Sequence, residues 1–205
     1  MNDITLLVMA AGMGSRYGGL KQLDAIGPNG ETIIDYSVYD AVKSGFSKVV
    51  FIIRREFEKE FKKKISDKYA GKIQVEFAFQ ELRALPHGFT CPEGREKPWG
   101  TGHAILSALD LIGGSFVVIN GDDYYGRESF KVVADYYSAG ANQFSMVAFQ
   151  LDKTLSIFGG VTRGLCTLKE GKLDTVIETE NLQKIEQGIS SDRDIVLDGT
   201  EPVSM

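Results

Sequence analysis

The segment from residue 4 to residue 22 constrains the fold more than any other part of the chain. Residues 4–11 read Ile-Thr-Leu-Leu-Val-Met-Ala-Ala, which is a nearly continuous apolar run. A strand covered on both faces lacks polar alternation, so this run predicts a buried parallel strand. It leads into a loop with glycines at positions 12, 14, 18 and 19. Glycines let an anion approach backbone N–H groups closely, and the anion that we expect at the carboxyl end of this strand is a phosphate chain.

Two common glycine loops do not fit this segment. The dinucleotide-binding fingerprint has a third glycine where this chain has Tyr17, and a Walker A loop has Lys directly after its second glycine, where this chain has Leu20. The pattern Ala-Ala-Gly-x-Gly-Ser-Arg at residues 10–16, followed by Lys21-Gln22, instead resembles the signature loop of the nucleotidyltransferases that make nucleotide sugars. The resemblance implies catalytic roles for Arg16 and Lys21. It also implies nucleotide contacts from Ala10, Ala11, Gly12, Gly14 and Ser15.

Length, charge and cysteine content limit the classes of protein to which this chain can belong. A chain of 205 residues is long enough for one sizeable α/β domain with its own core. Its formal net charge of −5 does not favour nucleic acid or an anionic membrane as a partner. Two cysteines without metal-ligand spacing indicate ordinary thiols, and no apolar run has the length of a membrane span. We therefore expect a cytoplasmic protein; the sequence does not indicate its oligomeric state.

The first part of the chain alternates strand and helix patterns. Apolar strands are predicted at 48–53 and 73–79, with amphipathic helices at 32–44 and 57–69 between the strands. This order implies right-handed crossovers and a mostly parallel sheet. The family resemblance implies a three-layer, Rossmann-like α/β sandwich with a small antiparallel lobe.

A second group of candidate residues surrounds a long loop. Gln80 follows the third strand, residues 81–99 form a polar, proline-broken loop, and Thr101 is the expected N-cap of the next helix. Glycine lets a flat base lie against the backbone, while threonine and glutamine supply hydrogen-bonding groups. The resemblance implies that Gln80, Gly100 and Thr101 contact the nucleobase.

A further apolar strand, at residues 115–119, is followed by Asn-Gly-Asp-Asp. Ligands gather outside the carboxyl ends of parallel strands, and carboxylates suit Mg²⁺, which prefers oxygen ligands. The resemblance places a metal-binding aspartate after Gly121, so Asp122 is the predicted magnesium ligand. Asp123 remains an alternative ligand or a supporting neighbour.

The character of the sequence changes near residue 150. After a predicted strand at 143–150, short alternating strands at 158–162, 166–169 and 173–178 indicate an antiparallel lobe. The resemblance implies that Gly160 and Glu178, the latter at a strand end, contact the acceptor. We predict one nucleotidyltransferase domain over 1–205, with a nucleotide-binding core at 1–150 and the start of an acceptor-binding lobe at 151–205.

The resemblance implies a Mg²⁺-dependent enzyme that joins a nucleoside triphosphate to a sugar 1-phosphate or similar acceptor and releases pyrophosphate. The family carries a second metal-binding aspartate late in its sheet, and no matching position occurs here. We therefore expect a chain truncated at its C-terminus, with uncertain activity of its own. Two other functions stay open: a cytidylyltransferase acting on a polyol phosphate, and a non-catalytic, nucleotide-sensing regulatory relative.

Overall fold

The computed structural model describes residues 3–12, 24–193 and 195–205. Its contacts divide the chain into two compact units, Met1–Gln143 and Phe144–Met205. The predicted lobe boundary between residues 150 and 151 lies at the end of the first strand of the second unit, Phe149–Gln150.

The first unit contains a four-stranded sheet in which every pairing is parallel. Its strands are β1 (Ile4–Met9), β2 (Lys48–Ile53), β3 (Gln74–Phe79) and β4 (Ser115–Asn120). Their spatial order is β3-β2-β1-β4, with β1 paired in register to both β2 and β4. The predicted parallel sheet is therefore confirmed.

Alternate residues of β1 enter two separate apolar clusters, which explains its continuous apolar run. Leu6 and Val8 pack in one cluster with residues of the first and last helices of this unit. Leu7 packs in another cluster with Val50 and Ala104. Both faces of the sheet are thus covered, and a strand in that position is apolar at nearly every residue, with the buried Thr5 as the exception in β1.

In the part of this unit that the structure describes, four α-helices and several 3₁₀ turns accompany the sheet. The helices are α1 (Ile33–Lys43), α2 (Glu58–Lys64), α3 (Thr101–Leu106) and α4 (Arg127–Ser138). The single helix predicted over 57–69 is wrong: α2 is flanked by 3₁₀ turns at Arg55–Phe57 and Ser66–Tyr69. The backbone departs from α-helix geometry at Ile65, where ψ is −72°. Ile65 and Tyr69 nevertheless reach the core, so the apolar spacing reported burial and not one continuous helix.

Asp35 ties the start of α1 to the turn after α2. Its carboxylate accepts hydrogen bonds from the backbone N–H of Thr32 at 2.8 Å, from Lys68 Nζ at 2.7 Å and from Tyr69 Oη at 2.6 Å. The hydroxyl oxygen of Thr32 in turn accepts a hydrogen bond from the Asp35 N–H at 3.3 Å, which completes a capping box. Burial opposes the charge on Asp35, but the hydrogen bonds outweigh it and hold the pKa of this carboxyl below its ordinary value.

We expect Asp35→Asn to lower the free energy of unfolding by about 1–3 kcal/mol at neutral pH, because charged hydrogen bonds are lost at a half-buried position. Since the pKa of Asp35 is lowered by folding, this contribution is fully present above the unfolded pKa of about 3.9 and is lost as the pH falls through the folded pKa. Urea titrations at neutral and acidic pH measure the difference. The exposed neighbour Asp67 supplies the control Asp67→Asn. An equal loss in both variants would contradict this role.

The second unit is an antiparallel sheet of five strands. They are β5 (Phe149–Gln150), β6 (Val161–Lys169), β7 (Lys172–Ile185), β8 (Gly188–Ser190) and β9 (Pro202–Ser204), in the spatial order β5-β9-β6-β7-β8. The turn between β6 and β7 has positive φ at Glu170 (53°) and Gly171 (74°), as tight hairpin turns require. This antiparallel lobe confirms the predicted change of architecture.

The strand boundaries predicted for this unit are wrong. The strand expected over 143–150 is only Phe149–Gln150. The strands expected at 158–162 and 166–169 belong to one continuous strand, Val161–Lys169. The strand expected over 173–178 runs on to Ile185, so Glu178 lies inside β7 and not at its end.

Among the described residues, no helix combines the length and the apolar character needed to cross a bilayer.

Candidate functional site

The carboxyl ends of β3, β1 and β4 bring the predicted site segments to one edge of the parallel sheet. Just beyond each strand, one backbone N–H is held by a neighbouring strand: Gln80 by Ile53 O at 3.1 Å, Ala10 by Ile52 O at 2.8 Å, and Gly121 by Met9 O at 2.9 Å. Strands in a sheet lie about 4.8 Å apart, so β3 and β4 are separated by roughly 14 Å. This edge therefore has the scale of a mononucleotide and not of a single phosphate.

The centre of this edge is the start of the glycine loop. Ala10 and Ala11 are buried, whereas Gly12 is exposed. The two alanines thus belong to the buried core and lie directly before the glycine loop in the chain. Gly14, Ser15, Arg16 and Lys21 lie outside the described residues.

At the end of β4, the two neighbouring aspartates have different surroundings. Asp123 Oδ2 accepts a hydrogen bond from Asn120 Nδ2 at 2.8 Å and lies 3.5 Å from Tyr125 Oη. Tyr125 Oη in turn accepts the Asn120 N–H at 2.9 Å. Asp122 is exposed, and no described residue donates a hydrogen bond to its carboxylate. The geometry leaves Asp122 as the carboxylate available to a ligand, with Asp123 engaged in holding the turn.

The same turn keeps its tyrosine neutral. Burial, together with the carboxylates of Asp123 and Asp122, raises the pKa of Tyr125 to about 12. The phenol therefore remains protonated at neutral pH and adds no further negative charge beside Asp122.

Gly121 allows the turn to sit close to β1. A Cβ at this position would lie 3.1 Å from Met9 O and 3.4 Å from Ala10 Cβ. Met9 O is a backbone atom and Ala10 is buried at the end of β1, so neither can move without disturbing the strand end. The Gly-Asp pair therefore combines close packing with an exposed carboxylate.

We expect Gly121→Ala to destabilise the protein by about 1–3 kcal/mol through overpacking. Urea denaturation measures the loss. The control is Gly113→Ala in the loop before β4, because a Cβ there meets nothing within 4 Å. If the two variants unfold at the same urea concentration, the packing role assigned to Gly121 is wrong.

At the end of β3, Gln80 lies in a network that the sequence does not reveal. Its amide nitrogen Nε2 is 2.9 Å from Trp99 O, 3.4 Å from Gly100 O and 3.3 Å from His103 Nδ1. The other ring nitrogen of His103, Nε2, is 2.8 Å from Ala84 O. The structure thus brings Gln80 together with Gly100, which begins α3 as its N-cap. The expectation that Thr101 is the N-cap is wrong; Thr101 is the exposed first residue of the helix.

The loop between Gln80 and α3 is closed on itself at its two ends. Trp99 Nε1 donates to Leu82 O at 2.9 Å, and the Arg95 guanidinium lies 3.6 Å from the centre of the Trp99 ring. Sequence reasoning gave His103 no role, since a lone histidine near a helix start carries no signal by itself. In the structure, its two ring nitrogens connect it to Gln80 and to Ala84 of the loop.

Gly160 and Glu178, the predicted acceptor contacts, both lie in the second unit. A Cβ on Gly160 would lie 2.9 Å from Asn181 Cα, so this position holds glycine because the β7 backbone passes close by. Glu178 is exposed and pairs across the hairpin with Gly164. The structure thus accounts for Gly160 by packing and leaves the carboxylate of Glu178 at the surface.

A family model described as Nucleotidyl transferase matches residues 6–187. The chain belongs to the nucleotidyl transferase family. The match includes the sequence of the glycine loop, the segments that follow β3 and β4, and most of the antiparallel unit. It agrees with the resemblance drawn from the signature loop.

Individual relatives of this nucleotidyl transferase are distant. The bifunctional protein GlmU of Methanococcus maripaludis is 26% identical over 136 residues, or 65% of this chain and 28% of that protein. The protein of the same name from Methanococcus vannielii is 32% identical over 93 residues, or 45% of this chain and 17% of that protein. The matched regions thus span less than a third of the length of either relative. A crystal structure of UDP-glucose pyrophosphorylase complexed with UDP-glucose has a TM-score of 0.52 and 20% identity, covering 99% of this chain and 74% of that one, and it shows a shared fold.

Proposed function

We propose that this chain carries out nucleotidyl transfer between a nucleoside triphosphate and a sugar 1-phosphate or a similar phosphorylated acceptor. The observation that carries the proposal is the placement of Gln80, of Ala10 to Gly12 and of Asp122 along one sheet edge, in a chain whose family match spans residues 6–187. A glutamine at one end of this edge for the base and a carboxylate at the other end for the metal suit an extended nucleotide. The start of the glycine loop lies between them, and we propose that this loop binds the phosphates.

The reaction is a single displacement at phosphorus. A phosphate oxygen of the acceptor attacks the α-phosphorus, a new P–O bond forms, and the bond to the bridging oxygen breaks, so that pyrophosphate leaves with that oxygen. A phosphate monoester with a second pKa near about 6 is largely dianionic at neutral pH, so the nucleophile needs no general base. Catalysis then depends on alignment of the reacting groups and on neutralising their charge.

The protein side chains divide this work between them. Gln80, Gly100 and Thr101 are proposed to contact the base, and the N–H groups of the loop are proposed to hold phosphate oxygens. The roles of Arg16 with the leaving pyrophosphate and of Lys21 with the reacting phosphates stay predictions from sequence, because both lie outside the described residues. Gly160 and Glu178 remain the proposed acceptor contacts.

Magnesium is the cofactor that we propose, and the residues at the end of β4 fit it. Asp122 offers an exposed carboxylate, whereas Asp123 is engaged with Asn120. Within the described ranges, no three His, Cys, Asp or Glu side chains gather as a metal cage. Mg²⁺ is commonly held by one or two carboxylates together with substrate phosphates, so Asp122 and the nucleotide would hold it jointly. Bound there, the ion would supply charge neutralisation at the phosphates.

Pyrophosphate exchange with a panel of nucleotides and acceptors tests the proposal. Because a UDP-glucose pyrophosphorylase shares this fold, UTP with a hexose 1-phosphate is the first pair to assay. We expect labelled pyrophosphate to enter the triphosphate only when the matching nucleotide sugar is present. Exchange with CTP and a polyol phosphate product would instead support the cytidylyltransferase. Tight triphosphate binding without exchange under any condition would support the nucleotide sensor.

The cytoplasmic location stays a prediction from the use of cysteine.

A further inference from the structure

The nitrogen of the Gln80 side-chain amide is turned toward other groups of the protein. Three acceptors surround its nitrogen: Trp99 O at 2.9 Å, Gly100 O at 3.4 Å and His103 Nδ1 at 3.3 Å. An amide nitrogen carries two hydrogens, so both of them are engaged by these neighbours.

These neighbours decide which way the amide faces. Backbone carbonyls only accept hydrogen bonds, so the inverted amide would set the oxygen of Gln80 against Trp99 O and Gly100 O. No described residue donates a hydrogen bond to Gln80 Oε1. That oxygen is therefore the atom of Gln80 that is left for a ligand, and it can only accept.

His103 reinforces this orientation through its ring tautomer. Its Nε2 lies 2.8 Å from Ala84 O, which requires the ring proton to be on Nε2. Nδ1 then carries a lone pair and accepts from the Gln80 amide. A chain of hydrogen bonds thus runs from Gln80 through the imidazole to Ala84 in the loop, and each member has one possible polarity.

We propose that His103 is a positioning residue that holds Gln80 with its oxygen toward the nucleobase, so that the site selects a base with a ring N–H over one with a ring lone pair. This inference rests on the proposed function. Uracil and cytosine form the matched pair, because they have the same size and uracil carries a hydrogen on N3 where cytosine carries a lone pair. A site whose polar atoms are left unpaired by the wrong ligand discriminates against that ligand.

Equilibrium binding of UTP and CTP to the full chain tests this role. The variants are His103→Ala, which removes the ring acceptor, and His103→Lys, whose ammonium offers no acceptor to the Gln80 amide nitrogen but can donate to Gln80 Oε1. The control is His87→Ala, which removes the other histidine from an exposed position in the same loop. Urea midpoints establish that each variant is folded.

We expect the wild-type protein and the His87→Ala variant to bind UTP about tenfold more tightly than CTP. His103→Ala should lower this ratio by about three- to tenfold, and His103→Lys should bring it to one or below. If both folded variants keep the wild-type preference in affinity for UTP over CTP, the inference is overturned while the proposed function stays intact. Failure of the wild-type protein to bind any nucleotide would overturn both.

The ring nitrogens of His103 give a second readout that needs no ligand. In ¹⁵N spectra of the unliganded protein, we expect a protonated Nε2 and an unprotonated Nδ1. The opposite tautomer would contradict the chain of hydrogen bonds, because Nδ1 could then no longer accept from Gln80.

Discussion

Replacing Asp122 with asparagine is expected to lower the turnover of nucleotidyl transfer by about 10²- to 10³-fold. Loss of one well-placed charge-stabilising group in a site of this kind costs roughly 3–4 kcal/mol of barrier. Asparagine has nearly the same shape as aspartate but no charge, and Asp122 is exposed and accepts no hydrogen bond from the described residues. The fold should therefore tolerate the change while the hold on magnesium weakens. Steady-state turnover across a magnesium titration measures the effect.

The matched control for this prediction is Asp110→Asn. Asp110 is exposed in the 3₁₀ turn Leu109–Leu111, so the substitution makes the same change of charge in the same unit but not at the carboxyl ends of the strands. We expect turnover of this variant to match the wild-type protein. If Asp122→Asn retains activity within tenfold of wild type at every magnesium concentration, the assignment of Asp122 as the metal ligand is wrong.

Replacing Phe51 with alanine should have the largest effect on stability, a loss of about 3–5 kcal/mol in the free energy of unfolding. Phe51 lies in the middle of β2 and is fully buried. Its ring centre is 5.0 Å from that of Phe61, 6.0 Å from that of Phe77 and 6.2 Å from that of Tyr69. Truncation removes ring contacts with α2, with the 3₁₀ turn Ser66–Tyr69 that follows it, and with β3. A close-packed interior collapses only partly around the resulting cavity.

Urea denaturation of Phe51→Ala, followed by circular dichroism, measures this loss. Phe89→Ala is the control, since Phe89 is an aromatic residue of the same size that is 71% exposed in the loop after β3. That variant should stay within about 0.5 kcal/mol of wild type. A loss below 1 kcal/mol in Phe51→Ala would show that the aromatic cluster does not stabilise this unit.

The elements that sequence predicted well are those in which local chemistry and burial agree. Strand β1 has apolar residues at nearly every position because both of its faces are covered, and β2 follows the same rule. The helix predicted over 32–44 is α1, because its apolar residues recur at helical spacing and pack on the sheet. Gly171, which lies between the strands predicted at 166–169 and 173–178, has the positive φ that a tight hairpin turn requires and that glycine accepts readily. Each of these signals lies within a few residues of the feature that it predicts.

Other boundaries depended on partners that lie far along the chain. Strand β7 extends past Glu178 because β6 and β8 supply hydrogen bonds for its backbone, although its side chains alternate poorly. The helix expected over 57–69 is interrupted because Phe61, Ile65 and Tyr69 need only reach the same core, which short turns also achieve. Apolar spacing records burial, and several backbone paths can satisfy it.

For the candidate site, the sequence by itself determined the family, the succession of strands and helices along the chain, and the residue types at the strand ends. Only the tertiary structure separated Asp122 from Asp123, because the partners of Asp123 in the folded turn include both the side chain of Asn120 and the hydroxyl of Tyr125. Only the structure gave the amide of Gln80 a direction, since its acceptors come from Trp99, Gly100 and His103, about twenty residues away. Hydrogen-bond polarity is a property of groups that meet in space, and a linear pattern does not contain it.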